Sequence, residues 1–304
     1  MTFSIVAHCP LTGQLGVAVS TAVPAVGSIC PYVRPGVGAV STQAWVNPYL
    51  AIEALQRMER GEPGPAALEA VLAGDEARGL RQIGLVDARG RAASWSGELC
   101  TDWFGHLVDD HFAVQGNMLV SEATISSMAA AYREAASRDL AERLLLAMEA
   151  GQAAGGDKRG RQSASLTVYG EEDYALLDLR VDEHPDPVAE LRRIHGIARL
   201  QLTPFVAGMP RKNGAAVAPP AEVMRMLLEP PARRPGGSGR APEPLDLVRD
   251  ILGIDLPPER LAENLAAFAR ILEEIGTLRN LDLTDIHPSV VFDPTAPYRR
   301  EPRA

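Results

Sequence analysis

A hydroxyl becomes a nucleophile only when a base takes its proton, and the residue at position 2 carries both parts. Thr2 is small, and initiator methionine is cut from new chains when the second residue is small, so a free threonine amine is expected. An α-amine, with a reference pKa of about 7.7–8.0, is a base poised near working pH. Nucleophile and base then come together on one residue, which is a known solution to hydroxyl activation. Phe3, Ile5 and Ala7 alternate with Ser4, Val6 and His8, so Thr2 opens a strand where first residues usually fray. A terminus tied into a sheet is either structural or the site itself. On the second reading Ser4 is a supporting hydroxyl.

Further along, Gln115, Gly116 and Asn117 combine a glycine that allows close backbone approach with an amide suited to a developing oxyanion. The same tripeptide also reads as a plain turn. The segment Gly155–Ala164 places Asp157, Arg159, Arg161 and Gln162 on one glycine-rich loop just before a strand. It suits a carboxylate or polar carbonyl ligand, for which arginine offers a bidentate fork. The alternative is a helix C-cap followed by a salt-bridged turn. Histidines 8, 106, 111, 184, 195 and 287 show no ligand spacing, and no metal or other cofactor is expected. Cys9, Cys30 and Cys100 are odd in number and widely spaced, which fits buried thiols better than disulfides or zinc ligands.

The elements that must position these residues alternate in type. The residues around Gly13 form a turn between Thr2–His8 and the apolar run from Leu15, which together predict a hairpin. A strand is expected over 36–42, helices over 47–60 and 65–73, and a second hairpin from 82–87 and 91–95. Two helices follow over 121–137 and 139–150, the first with Ser121 as N-cap. Strands over 163–169 and 174–181 complete a layered domain of helices and antiparallel strands.

With 304 residues, 46% of them hydrophobic, the chain can bury one sizeable core and a smaller unit. A net charge of −9 leaves no basic field for a phosphate backbone, so no nucleic acid is expected. No apolar run reaches a membrane span or a secretory leader, so a cytoplasmic protein is expected. Domains are expected at 1–202 and 245–304, joined over 203–244 by a Pro/Gly-rich linker that has room for a helical turn or two at 221–228. In the last unit Leu261, Leu265, Phe268, Leu272 and Ile275 line up at helical spacing, more apolar surface than a two-helix unit can cover.

TFSIVA from Thr2 and LGVAVST ending at Thr21 resemble the first hairpin of N-terminal-nucleophile (Ntn) hydrolases of the isoaspartyl-peptidase and asparaginase kind. That resemblance implies Thr2 as nucleophile and Thr21 as its supporting hydroxyl. VRPGVGAVST, which contains Arg34, is similar to their glycine-rich substrate-binding segment. The Gly pair after their Ser-Thr is replaced here by Ala22 and Val23. TFSIVA, GVGAVSTQ, RQIGLVDARGR, VQGNML, AGGDKRGRQSASL and RVDEHPDPVAEL together resemble the domain of unknown function 1028 family over about residues 1–195. This implies an α+β fold, a four-layer αββα sandwich of antiparallel sheets, to which residues 245–304 are expected to add a small helical unit.

Two functions follow. One is hydrolysis of a small amide or related C–N bond by Thr2, with Asn117 as oxyanion donor and Arg34, Asp157, Arg159 and Gln162 on the substrate. The other is a non-catalytic scaffold. Residues 257–288 resemble the small C subunit of tRNA-dependent amidotransferases, which implies an amidase-signature partner docked on residues 245–304; a self-contained cap on the first domain is the alternative. A homo-oligomer is expected.

Overall fold

Side-chain alternation along one strand decides where the layers lie. The computed structural model describes residues 2–214 and 218–228. β1 (Thr2–His8) pairs antiparallel with β2 (Leu15–Thr21), from Thr2↔Thr21 to His8↔Leu15. Phe3, Ile5 and Ala7 enter an apolar cluster shared with helices. Ser4 and Val6 face the other way, onto a second sheet. That sheet contains β3 (Pro31–Arg34), β4 (Gly38–Ala44), β5 (Arg81–Asp87) and β6 (Ala92–Ser96), in that order and all antiparallel. β7 (Gly105–Asp109), β8 (Phe112–Asn117), β9 (Ser163–Tyr169) and β10 (Ala175–Val181) join the first sheet. Its order is β10-β9-β2-β1-β8-β7, with β1 at the centre.

Helices cover the outer faces. α1 (Pro48–Glu59) and α2 (Gly64–Ala73) pack Leu50, Leu55, Leu68 and Val71 against Val40, Ile83 and Leu85 of the second sheet. The Asn47 side chain accepts from the Tyr49 N–H and caps α1. α3 (Ala123–Glu134) and α4 (Leu140–Ala153) cover the first sheet. The α4 sequence LAERLLLAMEAGQA has no β-branched residue, and the Asp139 side chain accepts from the Glu142 N–H at its start. Its Leu144, Leu145 and Met148 are wholly buried on Phe3 and Ile5, each worth about 1.5–3 kcal/mol. α5 (Pro187–Ala207) lies over β9 and β10, and a short α6 (Ala221–Leu228) follows.

Both expected hairpins form, as do the four helices expected between 47 and 150. β3, β7, β8 and α5 are additions. α3 starts two residues after Ser121, whose hydroxyl accepts the Ala123 N–H while Glu122 takes the N-cap position. α5 runs past 203, where the linker was expected to start, and α6 occupies 221–228 within it. Residues 245–304, with their apolar stripe, lie outside the described residues. Among the described residues no helix is long and apolar enough to cross a membrane. Cys9, Cys30 and Cys100 are free and buried.

The space between the sheets changes character along its length. At the His8 end Val6, Leu15, Val17, Ala39, Val86 and Ala113 form an apolar cluster. Towards Thr2 the facing residues are Ser4, Gln43, Gln82, Gln115 and Asn117, all buried. Gly84 makes room for one of them: a Cβ there would lie 2.0 Å from Gln115 Oε1. Gly84→Ala is therefore expected to cost about 1–3 kcal/mol in urea unfolding, as overpacking does. Gly196→Ala, in α5 with nothing within 4 Å of the added carbon, should stabilise by about 0.5–1 kcal/mol.

Candidate active site

Thr2 begins the central strand, so both neighbours hold it: its Cα partners are Thr21 on β2 and Asn117 on β8. The Thr2 hydroxyl donates to Thr21 Oγ1 at 3.2 Å, and the Thr2 carbonyl accepts from Gln43 Nε2 at 3.3 Å. A residue bonded through backbone and hydroxyl has few rotamers left. That is the condition for presenting one oxygen in one direction.

Behind it stands a chain of neutral side chains. Gln43 Nε2 donates to Gln82 Oε1 at 2.8 Å, and Asn117 Nδ2 donates to the same oxygen at 2.8 Å. Gln82 Nε2 lies 2.8 Å from Gly116 O, 3.2 Å from Gly105 O and 2.8 Å from Ser96 Oγ. Ser4 Oγ donates to Gln43 Oε1 at 2.6 Å and accepts from Gln115 Nε2 at 2.6 Å. Ser4 thus sits one layer below Thr2, fully buried, as a tie between the sheets.

The loop 155–162 closes the other flank. Gly155 and Gly156 take φ of +115° and +59°, and a Cβ on Gly156 would come within 3.1 Å of the Phe3 ring. Leu119 and Asp157 form an isolated bridge, and the Gln162 N–H donates to the Thr21 carbonyl at 3.0 Å. Asp157 Oδ2 accepts from the Ala22 N–H at 3.0 Å, and Oδ1 from the Arg159 N–H at 2.9 Å. The Arg159 guanidinium is half-exposed, 3.3 Å from Asp157 Oδ2. Asp157 is buried and engaged on both oxygens, which makes it the brace that seats this loop against Thr21 and Ala22.

The fold therefore gathers Thr2, Ser4, Thr21, Asn117, Asp157, Arg159 and Gln162 at one end of the sandwich. Arg34 is not among them. It pairs with Gly38, five positions along β4 from Gln43 or about 16 Å, and its guanidinium binds Glu59 at 2.5 Å. The glycine-rich segment that suggested a substrate contact is the β3–β4 turn, at the far end. Missing from the sequence reading were Gln43 and Gln82, and Gln115 appeared there only as a neighbour of Asn117. The signal for the first two was present: each occupies an inward position of a strand whose other inward residues are small or apolar, where an amide requires partners.

Two of the thiols are poorly placed to compete. Burial pushes Cys30 up to about 12, and it also raises Cys100. Among the described residues no group of three or more His, Cys, Asp or Glu side chains could hold a metal ion.

Fold and site define an α+β protein of two facing antiparallel sheets whose central strand starts with a hydrogen-bonded threonine over a buried amide network. A family model, "Family of unknown function (DUF1028)", matches residues 2–191, and the chain belongs to that family. A DUF1028 protein from Silicibacter pomeroyi superposes with a TM-score of 0.64 at 29% identity, covering 69% of this chain and 95% of that one. Anbu (ancestral beta-subunit) from Yersinia bercovieri gives a TM-score of 0.32 at 11% identity, over 71% of this chain and 100% of that one. The Anbu (Gly-1) mutant from Hyphomicrobium sp. strain MC1 gives 0.34 at 11%, over 66% and 96%. Both lie too far away to bear on the site. No curated protein matches the chain.

Two outcomes test the supports of this end. Asp157→Asn puts an amide NH2 against one of two N–H donors. It is expected to cost about 1–3 kcal/mol and to speed hydrogen exchange over residues 155–162, whereas Arg159→Ala should cost less, because the Ala22 and residue-159 backbone N–H groups still hold both Asp157 oxygens. Arg81, at the start of β5, binds Asp75 at 2.7 Å and the Trp45 carbonyl at 2.8 Å. The hydrogen bond from Arg81 holds the Asp75 carboxyl below the ordinary carboxylate range. Its stabilisation is therefore complete above about pH 4 and is lost as pH falls through the lowered value. Asp75→Asn should lower Tm at pH 7, and the gap to wild type should close in acid.

Proposed function

We propose that the protein is an N-terminal-nucleophile amidohydrolase acting on a small amide or related C–N bond, on a four-layer αββα scaffold. The observation that carries this reading is the Thr2 hydroxyl held on Thr21 Oγ1, at the head of the central strand and beside Asn117. Removal of Met1 frees the Thr2 amine. The amine then takes the Oγ1 proton as that oxygen attacks the carbonyl carbon, and the tetrahedral oxyanion lies within the field of an amide donor, for which Asn117 is the candidate. Collapse breaks the C–N bond, and the protonated amine gives its proton to the departing nitrogen. Water then attacks the Thr2 ester, the amine takes a water proton, and the returning proton restores the hydroxyl. The sum is amide plus water to acid plus amine.

Substrate contacts are proposed from the loop 155–162. The half-exposed Arg159 guanidinium offers a fork to a carboxylate, and Gln162 lies beside Thr21. Asp157 contributes by holding that loop.

Intact mass supplies the first test, because the mechanism requires loss of Met1. Thr2→Ala supplies the second. Alanine is also small, so Met1 is still removed, and the hydroxyl is lost together with the γ-methyl. Turnover of a panel of small amides should fall on the order of 10³-fold or more with the fold unchanged by circular dichroism. Retained Met1, or undiminished turnover in Thr2→Ala, would remove Thr2 from the chemistry.

A further inference from the structure

Every amide in the buried network could in principle be turned by half a rotation, exchanging its donor for its acceptor. Backbone carbonyls prevent this at two of them, because a carbonyl only accepts. Gln82 Nε2 faces Gly116 O at 2.8 Å and Gly105 O at 3.2 Å, so nitrogen must occupy that side and Oε1 the other. Gln43 Nε2 faces Thr2 O at 3.3 Å and Gln115 O at 3.4 Å, which orients it independently. Asn117 has no such anchor. Among the described residues the bond from its Nδ2 to Gln82 Oε1, 2.8 Å long, is the hydrogen bond that its side chain makes. Turning Asn117 over would set its oxygen against the Gln82 oxygen.

We infer that Gln82 is a positioning residue: it fixes the Asn117 amide with nitrogen inward, so that the second N–H of Nδ2 is kept as a donor beside Thr2. This rests on the reading of Thr2 as nucleophile. Gln82 itself lies behind the site, on the opposite sheet, and acts through Asn117. The direction of the lock runs from the carbonyls of Gly105 and Gly116 to Gln82, and from Gln82 to Asn117. An amide fixed before the reaction needs no reorganisation when charge develops, which is where preorganised donors gain their effect. Without Gln82 the Asn117 amide is free to present Oδ1 to a developing oxyanion, which would repel it.

The test uses Gln82→Leu, Gln82→Glu, Asn117→Ala and the double variant Gln82→Leu/Asn117→Ala in the full-length protein. Two readouts are needed. The first is exchange of the Asn117 side-chain amide protons by NMR, with the signals assigned from their loss in Asn117→Ala. The second is the rate at which a β-lactone acylates Thr2, followed by intact mass. Gln82→Leu should speed amide exchange at Asn117 at least tenfold. Asn117→Ala should slow acylation about 10²-fold, as loss of one oxyanion donor does. Gln82→Leu should slow it at least tenfold alone, and by less than twofold when Asn117 is already alanine. Gln82→Glu keeps the accepting oxygen and, when protonated, an O–H for Gly116, so slow exchange at Asn117 should survive in it.

Additive losses in the double variant would overturn the inference, as would unchanged Asn117 exchange in Gln82→Leu. If Gln82→Leu does not fold, fast exchange of the Asn117 amide in Gln82→Glu overturns it alone. A wild-type protein that resists acylation at Thr2 but shows the slow Asn117 amide refutes the nucleophile and leaves the lock standing.

Discussion

Two β-sheets that face each other across a polar gap must satisfy every amide in it, and the Gln82 side chain is where that requirement converges. Its oxygen receives one N–H from each sheet, from Gln43 and from Asn117, while its nitrogen is committed to carbonyls of β7 and β8. A half-satisfied network of this kind would be worse than an apolar core. The apolar cluster at the His8 end cannot substitute for it, because it contains nothing that distinguishes one register from the next. The amide chain does distinguish them: sliding β1 by one residue would turn Thr2 and Ser4 to the helices and Phe3 to the gap. The same contacts that align the sheets therefore aim the hydroxyl of Thr2.

Glycine and helix packing serve this alignment from both sides. Gly84 lets the Gln115 side chain pass between the sheets, and Gly151 lets α4 approach, since a Cβ there would lie 2.6 Å from Met128 and 3.3 Å from Phe3. Phe3 is thus clamped from the helix side while its neighbours Thr2 and Ser4 are bonded on the other. A strand gripped on alternate faces cannot rotate about its axis. The first residue of such a strand is ordered by its second and third.

The hairpin of β1 and β2 was legible because apolar and polar residues alternate through Phe3, Ile5 and Ala7 and a glycine turn follows. Its neighbour β8 was not, although it carries Asn117. The Gly116–Asn117 pair has the composition of a turn, and only its place beside β1 makes it a strand end; burial against Leu119 favours glycine there, where a Cβ would lie 2.6 Å away. Local composition cannot report a partner more than a hundred positions earlier in the chain. Gln43 and Gln82 were visible as polar interruptions in inward strand positions, but their meeting depends on how two sheets stack. Arg34 is the opposite case: its motif was legible, and the strand direction carries it to the end away from Thr2.

The buried network at the Thr2 end is built from groups that do not titrate. Ser4, Gln43, Gln82, Gln115 and Asn117 keep their charge and donor pattern at every accessible pH, so the network does not respond to protons directly. Its nearest imidazole is His106, reached through Ser96, whose hydroxyl lies 2.9 Å from His106 Nδ1 and accepts from Gln82 Nε2. Burial lowers the His106 pKa, so the ring is neutral at pH 7 with Nδ1 able to accept from Ser96. Protonation in acid turns Nδ1 into a donor and reverses the Ser96 hydroxyl, but the reversal stops there, because the Gly105 and Gly116 carbonyls still hold Gln82. On the proposed mechanism, a pH dependence near neutrality therefore falls to the Thr2 amine and not to this network.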